Sequence, residues 1–407
     1  MRTYSTTRAV DIVQAASGIF CRHFSYLCGM IRKYFFCAAI VAALMIVGCS
    51  KSDPETPSVE EEIDELIESM SLKQLVCQLF VVRPEALSEN PGTDGKTALT
   101  KEMEDFYREY PVGGLCLYAK NIVSPSQLLT YTQDIHSLPG YPLLYVDEEG
   151  GRVARIANSE GFGLNKYESM SAIASSGNPD DAYDAAFYIG SYVRQYGFDI
   201  DLAPVADVNT NPENIVIGAR AFSSDPQLAS QMVLRYLDGL WKAGIYGCIK
   251  HFPGHGDVKG DTHTGYVATQ KTWEDLLKCE MITFKAGIQH GVKMIMTAHI
   301  STPTITGNDL PATMSSVILS EKLRGELGFK GIIITDAMEM GAIAEHYSSG
   351  ESAVGTLKAG ADIILLPQNL PEAVNAILDA LDSGEITVDR IKESVRRILE
   401  LKLASIR

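Results

Sequence analysis

The sequence lacks the short motifs that mark several large enzyme classes. Neither GxGxxG nor GxxxxGK[ST] occurs in its 407 residues, which argues against the usual nucleotide-binding phosphate loops. It has no CxxC pair, and it lacks the early HxH strand that many barrel metallohydrolases carry. Basic residues are also scarce: 35 Lys and Arg stand against 51 Asp and Glu, a net charge of -16. We therefore expect no nucleic acid partner.

The first 48 residues indicate a signal peptide rather than part of the fold. Arg32 and Lys33 precede an almost wholly apolar stretch, residues 34–47, which is followed by the small residue Gly48. The stretch is too short to span a bilayer comfortably, so cleavage is favoured over a stable anchor. Met30, just ahead of the basic pair, is an alternative start of the protein.

Residues 46–49 predict a lipid anchor. Ile46–Val47–Gly48–Cys49 resembles a bacterial lipobox, which implies cleavage before Cys49 and lipidation of its thiol; a cysteine that merely ends a signal peptide is the alternative. Residues 49–62 are polar and acidic and contain two prolines, which indicates a lipidated flexible tether. The folded domain is then expected over 63–407, in an extracytoplasmic protein anchored to a bacterial membrane.

Four cysteines remain in the expected mature domain. Three of them lie inside apolar runs, so the sequence predicts small buried apolar side chains rather than a disulfide framework. These residues are Cys77, Cys116, Cys248 and Cys279.

From about residue 60 the sequence alternates short apolar runs with longer amphipathic stretches. Eight strands with long crossovers predict an α/β fold, a TIM-type (β/α)8 barrel with a single catalytic domain. A doubly wound open sheet is the rival, although it usually has fewer strands and a Gly-rich loop after the first. The predicted strands are Leu79–Val82, Gly114–Tyr118, Leu143–Val146, Asp199–Ala203, Gly247–His251, Met294–Ala298, Gly331–Thr335 and Asp362–Leu366. The predicted helices include Ser124–Ile135, Pro179–Tyr196, Asp225–Ala243, Trp273–His290, Ser315–Leu327 and Val388–Leu403.

Polar side chains follow several predicted strands at the end where each strand stops. Because the carboxyl ends of barrel strands form the catalytic face, we expect these side chains to share one site. A lone acid after a strand is often only a helix N-cap, but such residues in four separate βα units are harder to explain in that way. They are Asp147, Lys250, His251, His299 and Asp336.

The loop from Lys250 to Gly265, KHFPGHGDVKGDTHTG, carries most of the candidate chemistry. One interpretation is a metal site, but Pro253 and Gly254 separate the first two histidines and prevent one helical face from presenting both. We therefore expect no metal and no other cofactor. The candidate ligands under that interpretation are His251, His255, Asp257, Asp261 and His263.

The other interpretation is sugar chemistry. Retaining glycoside cleavage requires a carboxylate nucleophile and a proton donor on opposite sides of the scissile bond. Asp336, at a strand end, suits the first role because an aspartate is ordinarily ionised at neutral pH. His263 suits the second because its ordinary pKa is near 6.5, and Asp261 can hydrogen-bond the imidazole. The surrounding glycines indicate a mobile loop.

Five motifs bring a family into view. KHFPGHGD, DTH, VDEEGGRVAR, IGARAFSSDP and GIIITDAM resemble the N-terminal barrel of glycoside hydrolase family 3, over residues 71–367. The pattern is most similar to the bacterial β-N-acetylhexosaminidase branch, which removes terminal β-linked N-acetylglucosamine, notably from peptidoglycan fragments. The resemblance implies a nucleophile at Asp336, an acid/base at His263 and its partner at Asp261. The sugar would be held by Asp147, Arg155, Arg220, Lys250 and His251.

The resemblance has limits that leave other functions open. Larger family members carry a second domain with a carboxylate acid/base; this chain ends about forty residues after its last predicted strand, so we expect the proton donor within the barrel. Thr262 stands where the branch often has serine, and Ala337 follows Asp336 where a second acid is common. A β-glucosidase or a glycoside phosphorylase is the alternative, and a non-catalytic glycan-binding lipoprotein is a remote one. We expect a monomer that binds carbohydrate.

Some polar residues have equally good structural interpretations. His255 is expected to stabilise its own turn, and Asp207 to serve as a turn or cap residue. His299 either lines the pocket or is a satisfied histidine at a strand end. Glu148 and Glu149 are the chief rivals of the carboxylates chosen above, because glutamates are common in glycosidases.

Overall fold

Eight short apolar runs form parallel strands in the computed structural model, which describes residues 58–262 and 265–406. Almost every strand residue is buried, as expected for strands covered on both faces. In chain order the barrel strands are β1 (Phe80–Val82), β2 (Gly114–Leu117), β3 (Leu143–Val146), β4 (Ile200–Asp201), β5 (Tyr246–Phe252), β6 (Met294–Thr297), β7 (Ile332–Ile334) and β8 (Ile364–Leu365).

The strands form a closed ring in which each strand neighbours the next in the chain. All these pairings are parallel, and β1 pairs with β8 on one side and with β2 on the other. A parallel bridge between Ile334 and Ile363 joins β7 to the start of β8 and completes the circle. The predicted (β/α)8 barrel is therefore confirmed, and each predicted strand overlaps an observed one.

Helices occupy the crossovers and cover the outside of the barrel. Those predicted around residues 124–135, 179–196, 225–243 and 388–403 are present with ends shifted by at most three residues. The α-helices of the described residues are Val59–Ser69, Leu72–Cys77, Lys101–Glu109, Pro125–His136, Met170–Ala174, Asp180–Gln195, Pro226–Ala243, Trp273–Lys278, Glu280–Gln289, Pro303–Thr306, Gly341–Ala344, Ser349–Ala359, Leu370–Asp382 and Val388–Ile406.

Two predicted helices differ from the observed ones. The helix expected over Trp273–His290 is interrupted at Cys279, whose backbone is not helical (φ -135°, ψ -82°). The segment expected as an α-helix over 315–327 is a π-helix, Val317–Glu326. Apolar periodicity detects a helical segment but is insensitive to such local breaks and to the tighter or wider winding of a turn.

Short elements lie in the loops that follow the barrel strands. After β3, Glu148–Gly150 pairs antiparallel with Val153–Ala154. Beyond β5 and β6, Val267–Ala268 pairs in parallel with Ile300–Ser301. The 3-10 helices are Pro84–Ala86, Ala119–Asn121, Gly218–Arg220 and Ala312–Met314.

The fold begins earlier than the sequence indicates. Ser58 caps the helix Val59–Ser69 through a capping box with Glu61, so the predicted tether 49–62 and the boundary at residue 63 are wrong for residues 59–62. The acidic side chains there belong to the first helical turn, where their negative charges interact favourably with the positive end of the helix dipole. The predicted signal peptide and Cys49 lie outside the described residues. Among the helices that are described, none has the length and apolarity needed to cross a membrane.

The four cysteines of the domain are free thiols. Three of them are buried, as predicted, and Cys279 is half-buried at the helix interruption.

Candidate active site

Lys250 lies at the centre of a charged cluster at the carboxyl ends of β3 and β5. Its ammonium contacts Asp147 Oδ1 at 2.8 Å and Glu149 Oε1 at 2.6 Å. The side chain is 3% exposed; burial alone would lower the pKa of Lys250, but the two carboxylates outweigh it and hold the pKa above its ordinary value. Lys250 is therefore a fixed cation, and a substrate hydroxyl entering here meets a charged donor.

The carboxylate of Asp147 bridges two cations. Its second oxygen, Oδ2, lies 3.3 Å from Nη2 of Arg155, whose backbone N–H donates to the Asp147 carbonyl. The antiparallel pair after β3 makes this possible because it folds the chain back on itself within eight residues. The structure thus brings together Asp147, Arg155 and Lys250, as the sequence predicted.

Glu149 holds Arg220 in a bidentate pair. Arg220 donates from Nε at 2.8 Å and from Nη2 at 2.7 Å to the two carboxylate oxygens. Burial would raise the pKa of Glu149, but the charges of Arg220 and Lys250 outweigh it and hold that pKa far below its ordinary value. Glu149 therefore links Arg220 to Lys250 and does not replace Asp147 or Arg155 in the cluster.

Glu148 has a different environment from Glu149. It is fully buried, and it accepts hydrogen bonds from the backbone N–H groups of Ile156 and Ala157 and from the Tyr192 hydroxyl, all at 2.8 Å. Both oxygens are therefore occupied by the fold. Glu148 stabilises the turn that presents the site and is not available as a rival nucleophile.

His251 is held by Asp207, which the sequence assigned to a turn or cap. The imidazole Nδ1 lies 2.7 Å from Asp207 Oδ2, while Nε2 lies 3.5 Å from Nη2 of Arg220. Asp207 also accepts the backbone N–H of His255 at 2.6 Å. Asp207, which is 1% exposed, therefore does more than cap a turn, because it also holds the imidazole of His251.

His299 is satisfied by its surroundings, whereas the buried His255 has a hydrogen-bond partner at Nε2 and none at Nδ1 among the described residues. His255 Nε2 lies 3.4 Å from the Thr262 hydroxyl and the residue is buried, which agrees with the predicted structural role. His299 lies 2.8 Å from the Thr313 hydroxyl and 3.0 Å from the Ala337 carbonyl. Because Ala337 directly follows the candidate nucleophile, His299 also borders the site.

Asp336 stands two residues after the end of β7, half-buried, with its backbone N–H bonded to the carbonyl of Thr297 in β6. Burial would raise the pKa of this carboxyl, but the neighbouring His251 and His299, the hydrogen bond from the Ala337 N–H and the charge of Lys250 together outweigh burial and lower the pKa. A carboxylate at a strand end has little freedom to move and remains ionised at neutral pH. These are the properties required of a carboxylate nucleophile.

The site extends to the ends of β1 and β2. Arg83, directly after β1, forms an ion pair with Glu339, three residues beyond Asp336. The guanidinium carbons of Arg83 and Arg155 lie 5.0 and 5.1 Å from the ring centre of Tyr118. Arg83 is the first polar residue after a barrel strand, so the rule that selected Asp147 and Asp336 could also have selected it.

The loop after β5 is attached to the barrel by several contacts. Asp257 accepts from the Thr269 hydroxyl at 3.1 Å and pairs with Lys271 at 3.2 Å, while the Thr262 carbonyl accepts the N–H of Ala342 at 3.1 Å. Asp261 is half-buried and directly precedes Thr262, which this bond joins to Ala342, six residues after Asp336. His263 lies outside the described residues, so its role stays a prediction.

The metal alternative depends on residues that the structure describes only in part. Among residues 58–262 and 265–406, no group of three or more His, Cys, Asp and Glu side chains is arranged to hold a metal ion. His251, one of its candidate ligands, directs Nδ1 to Asp207. The expectation that no cofactor is needed stays a prediction.

The arrangement suits a neutral, hydroxyl-rich ligand better than an anion. Three cations, Arg155, Lys250 and Arg220, are interleaved with two carboxylates, Asp147 and Glu149, and Asp336 supplies the third negative charge. Alternating fixed donors and acceptors can bind hydroxyl groups, which both donate and accept. The Asp336 carboxylate lies within electrostatic reach of Lys250 and is the candidate reacting group.

Comparison with known proteins agrees with this chemistry. The sequence profile described as the glycosyl hydrolase family 3 N terminal domain matches residues 59–401. Beta-hexosaminidase A of Pseudoalteromonas piscicida is 30% identical over 346 residues, which are 77% of this chain and 58% of that protein. Beta-hexosaminidase of Nitrosomonas eutropha is 35% identical over 285 residues, 68% of this chain and 80% of that protein.

A solved structure shares the fold. The glycoside hydrolase family 3 beta-N-acetylglucosaminidase from Paenibacillus sp. str. FPU-7 superposes with a TM-score of 0.77 at 33% sequence identity. The similarity covers 83% of this chain and 63% of that one, so the present chain corresponds to a part of the longer protein. From the profile, the relatives and the barrel together, the chain belongs to glycosyl hydrolase family 3.

Proposed function

We propose that the protein is a retaining, exo-acting β-N-acetylhexosaminidase that hydrolyses terminal β-linked N-acetylglucosamine from glycans or peptidoglycan fragments. One observation carries the proposal: the Asp336 carboxylate, with its lowered pKa, stands at a strand end beside the fixed cation Lys250. The similarity to proteins named beta-hexosaminidase and beta-N-acetylglucosaminidase supports the choice of sugar. A carbohydrate is accordingly the partner of the site.

The reaction would proceed in two displacements. Asp336 attacks the anomeric carbon while the bond to the leaving oxygen breaks, and that oxygen takes a proton from His263. His263 then removes a proton from water, which attacks the same carbon and releases Asp336. The charged cluster around Lys250 would bind the sugar hydroxyls most strongly in the distorted, oxocarbenium-like state, where binding lowers the barrier.

A panel of p-nitrophenyl glycosides tests the proposal. Protein without residues 1–49 should hydrolyse the β-N-acetylglucosaminide faster than the β-glucoside, and inorganic phosphate should not change the sugar product. Preference for the glucoside would favour a β-glucosidase, and a sugar 1-phosphate product would favour a phosphorylase. Absence of turnover on every substrate, with glycan still bound, would leave a non-catalytic binding protein.

Asp336→Asn should lower kcat by at least about 1000-fold, because the amide cannot form the glycosyl ester. Asp225→Asn is the matched control: Asp225 caps the helix Pro226–Ala243 by accepting the N–H of Gln227, and asparagine caps equally well. Turnover of the Asp336 variant close to that of the control would exclude this nucleophile.

We also propose that the mature protein begins at a lipidated Cys49, is anchored to a bacterial membrane on its extracytoplasmic side, and is a monomer. The lipobox-like residues before Cys49 support the first two points. Cys49→Ala should abolish incorporation of labelled fatty acid and release the protein from the membrane fraction. Continued labelling of the variant, or a dimer mass in light scattering, would contradict the respective point.

A further inference from the structure

Asp207 has no part in the reaction as stated above, yet its carboxylate joins two histidine-bearing positions. One oxygen, Oδ2, accepts from both the imidazole and the backbone N–H of His251, at 2.7 and 3.2 Å. The other, Oδ1, accepts the backbone N–H of His255 at 2.6 Å. A buried carboxylate with three such donors is fixed in orientation and fixes its donors in turn.

The carboxylate determines which nitrogen of His251 carries the proton. An ionised carboxylate can only accept, so Nδ1 must hold a hydrogen, and Nε2 is left as the ring atom on the side of the sugar-binding cluster. Nε2 lies 3.5 Å from Nη2 of Arg220, which can only donate. In the neutral ring, Nε2 is then an acceptor beside a donor, and the two can share one substrate hydroxyl.

The same carboxylate sets the start of the loop after β5. His255 begins the stretch that leads through Asp257 to Asp261 and Thr262, and its N–H is held by Asp207 at 2.6 Å. The amide of Asn214 holds the His255 carbonyl at 2.7 Å, so the peptide groups on both sides of His255 are fixed. A shift of Asp207 would therefore move a sugar contact and the base of the loop together.

We propose that Asp207 is a positioning residue for the reaction: it holds His251 in the tautomer that directs an accepting Nε2 to the sugar, and it anchors the loop that carries Asp261. This inference rests on the proposed function for its effect on rate. Its geometric part, the tautomer of His251, does not depend on which sugar is cleaved.

Asp207→Asn tests the proposal because it preserves shape and exchanges an acceptor for a donor. An amide N–H facing Nδ1 would favour the other tautomer, with hydrogen on Nε2, and this hydrogen would oppose Arg220. We expect kcat/KM for the N-acetylglucosaminide to fall about 100-fold, as for a misplacement of about 1 Å, with most of the loss in kcat. Nitrogen-15 spectra of the imidazoles should show the proton of His251 moving from Nδ1 to Nε2.

The matched control is Asp199→Asn. Asp199 is also buried and holds a histidine, His136 Nε2 at 3.0 Å, together with the N–H of Leu144 at 2.8 Å, but it precedes β4 at the opposite end of the barrel. Asp199→Asn should lower the melting temperature about as much as Asp207→Asn does, but it should change kcat/KM less than threefold. An equal loss of kcat/KM in both variants would overturn the positioning role.

The wild-type protein supplies a test that needs no folded variant at position 207. The His251 signal, identified by its loss in His251→Gln, must show a protonated Nδ1. A neutral ring with hydrogen on Nε2 would overturn the inference directly. If the wild type shows the expected tautomer but fails to cleave the N-acetylglucosaminide, the proposed function fails while the Asp207–His251 assignment stands.

Discussion

At the scale of single residues, the site depends on shared charges rather than on isolated pairs. Lys250 forms ion pairs with both Asp147 and Glu149, and Glu149 forms ion pairs with both Lys250 and Arg220. Removing any member leaves a buried charge without its partner, which costs more than the lost contact itself. Substitutions here should therefore affect sugar binding well beyond the position that is changed.

Glu149→Gln should lower kcat/KM about 10- to 100-fold, because a charge-assisted hydrogen bond contributes about 1.5–3 kcal/mol and glutamine cannot pair with two cations. Steady-state kinetics on the N-acetylglucosaminide measure the effect. Glu148→Gln is the control in the neighbouring position, where the carboxylate accepts hydrogen bonds from the fold and not from Lys250 or Arg220. A Glu149 variant with unchanged kinetics would show that Arg220 and Lys250 hold their positions without it.

At the scale of elements, the termini of strands and helices position the site, and buried contacts hold the elements in place. The C-terminal helix Val388–Ile406 is joined to the start of β8 through Asp362, which is fully buried. Asp362 accepts from Arg397 at 2.9 Å and from Ser394 at 2.6 Å, pairs with Arg324, and accepts the N–H of Ile333 at 2.9 Å. The same carboxylate therefore links the helix to the closing strands of the barrel.

Asp362→Ala should destabilise the protein by about 3–5 kcal/mol, because it leaves buried arginines without a counter-charge. Urea unfolding measures this loss. Asp238→Ala is the matched control: Asp238 also bonds a cation and a histidine, Arg235 and His290, but it is 28% exposed and should cost about 1 kcal/mol or less. Equal losses in the two variants would show that burial of Asp362 adds nothing.

The interruption at Cys279 illustrates what periodicity cannot detect. A second helix, Glu280–Gln289, begins directly after this interruption. Its first residue, Glu280, is buried and packs against the turn that follows β5. A Cβ placed on Gly254 would lie 2.5 Å from Cγ of Glu280, so this turn requires glycine. The apolar residues on either side keep helical spacing, and the sequence therefore predicted one continuous helix.

At the scale of the whole molecule, one buried lysine makes stability depend on pH. Lys402, 3% exposed in the C-terminal helix, donates to Gln78 Oε1 at 2.7 Å and to the carbonyl of Gly140 at 3.2 Å. Burial lowers the pKa of Lys402 to about 7, with the charge of Asp199 opposing it only in part. In the unfolded chain an ordinary lysine keeps its proton up to about pH 10.4.

The sign of the effect follows from proton counting. Between about pH 7 and pH 10.4 the unfolded chain binds more protons at Lys402 than the folded one, so this residue makes the folded state more stable as pH rises through that window. Below about pH 7 the cost of burying the charge is fully present. Lys402→Met removes this dependence. The substitution should therefore increase the free energy of unfolding more at pH 6 than at pH 9.

Urea unfolding of wild type and variant at the two pH values measures the difference. Lys392→Met, which removes a half-exposed lysine of the same helix that pairs with Glu68, should shift unfolding equally at both pH values. If Lys402→Met changed the free energy of unfolding by the same amount at pH 6 and at pH 9, the lowered pKa of Lys402 would be contradicted.

The sequence by itself determined the eight strands, their order around the barrel and the face that carries the chemistry, because these follow from local apolar patterns and from chain order. The ends of the predicted strands also selected Asp147, Lys250, His251 and Asp336, and the resemblance to the family added Arg155 and Arg220. The tertiary structure brings these side chains together.

Only the tertiary structure decided which of them touch. Lys250 and Asp147 are 103 residues apart, and Arg220 and Glu149 are 71 apart, so their pairing depends on the curvature of a closed sheet and not on any local pattern. The tertiary structure also determines the contact between the buried Asp207 and His251, and the ion pair between Arg83 and Glu339. The strength of a charge pair inside a barrel depends on the distance between the two charges and on how completely water is excluded from them. Neither property can be read from the spacing of the residues along the chain.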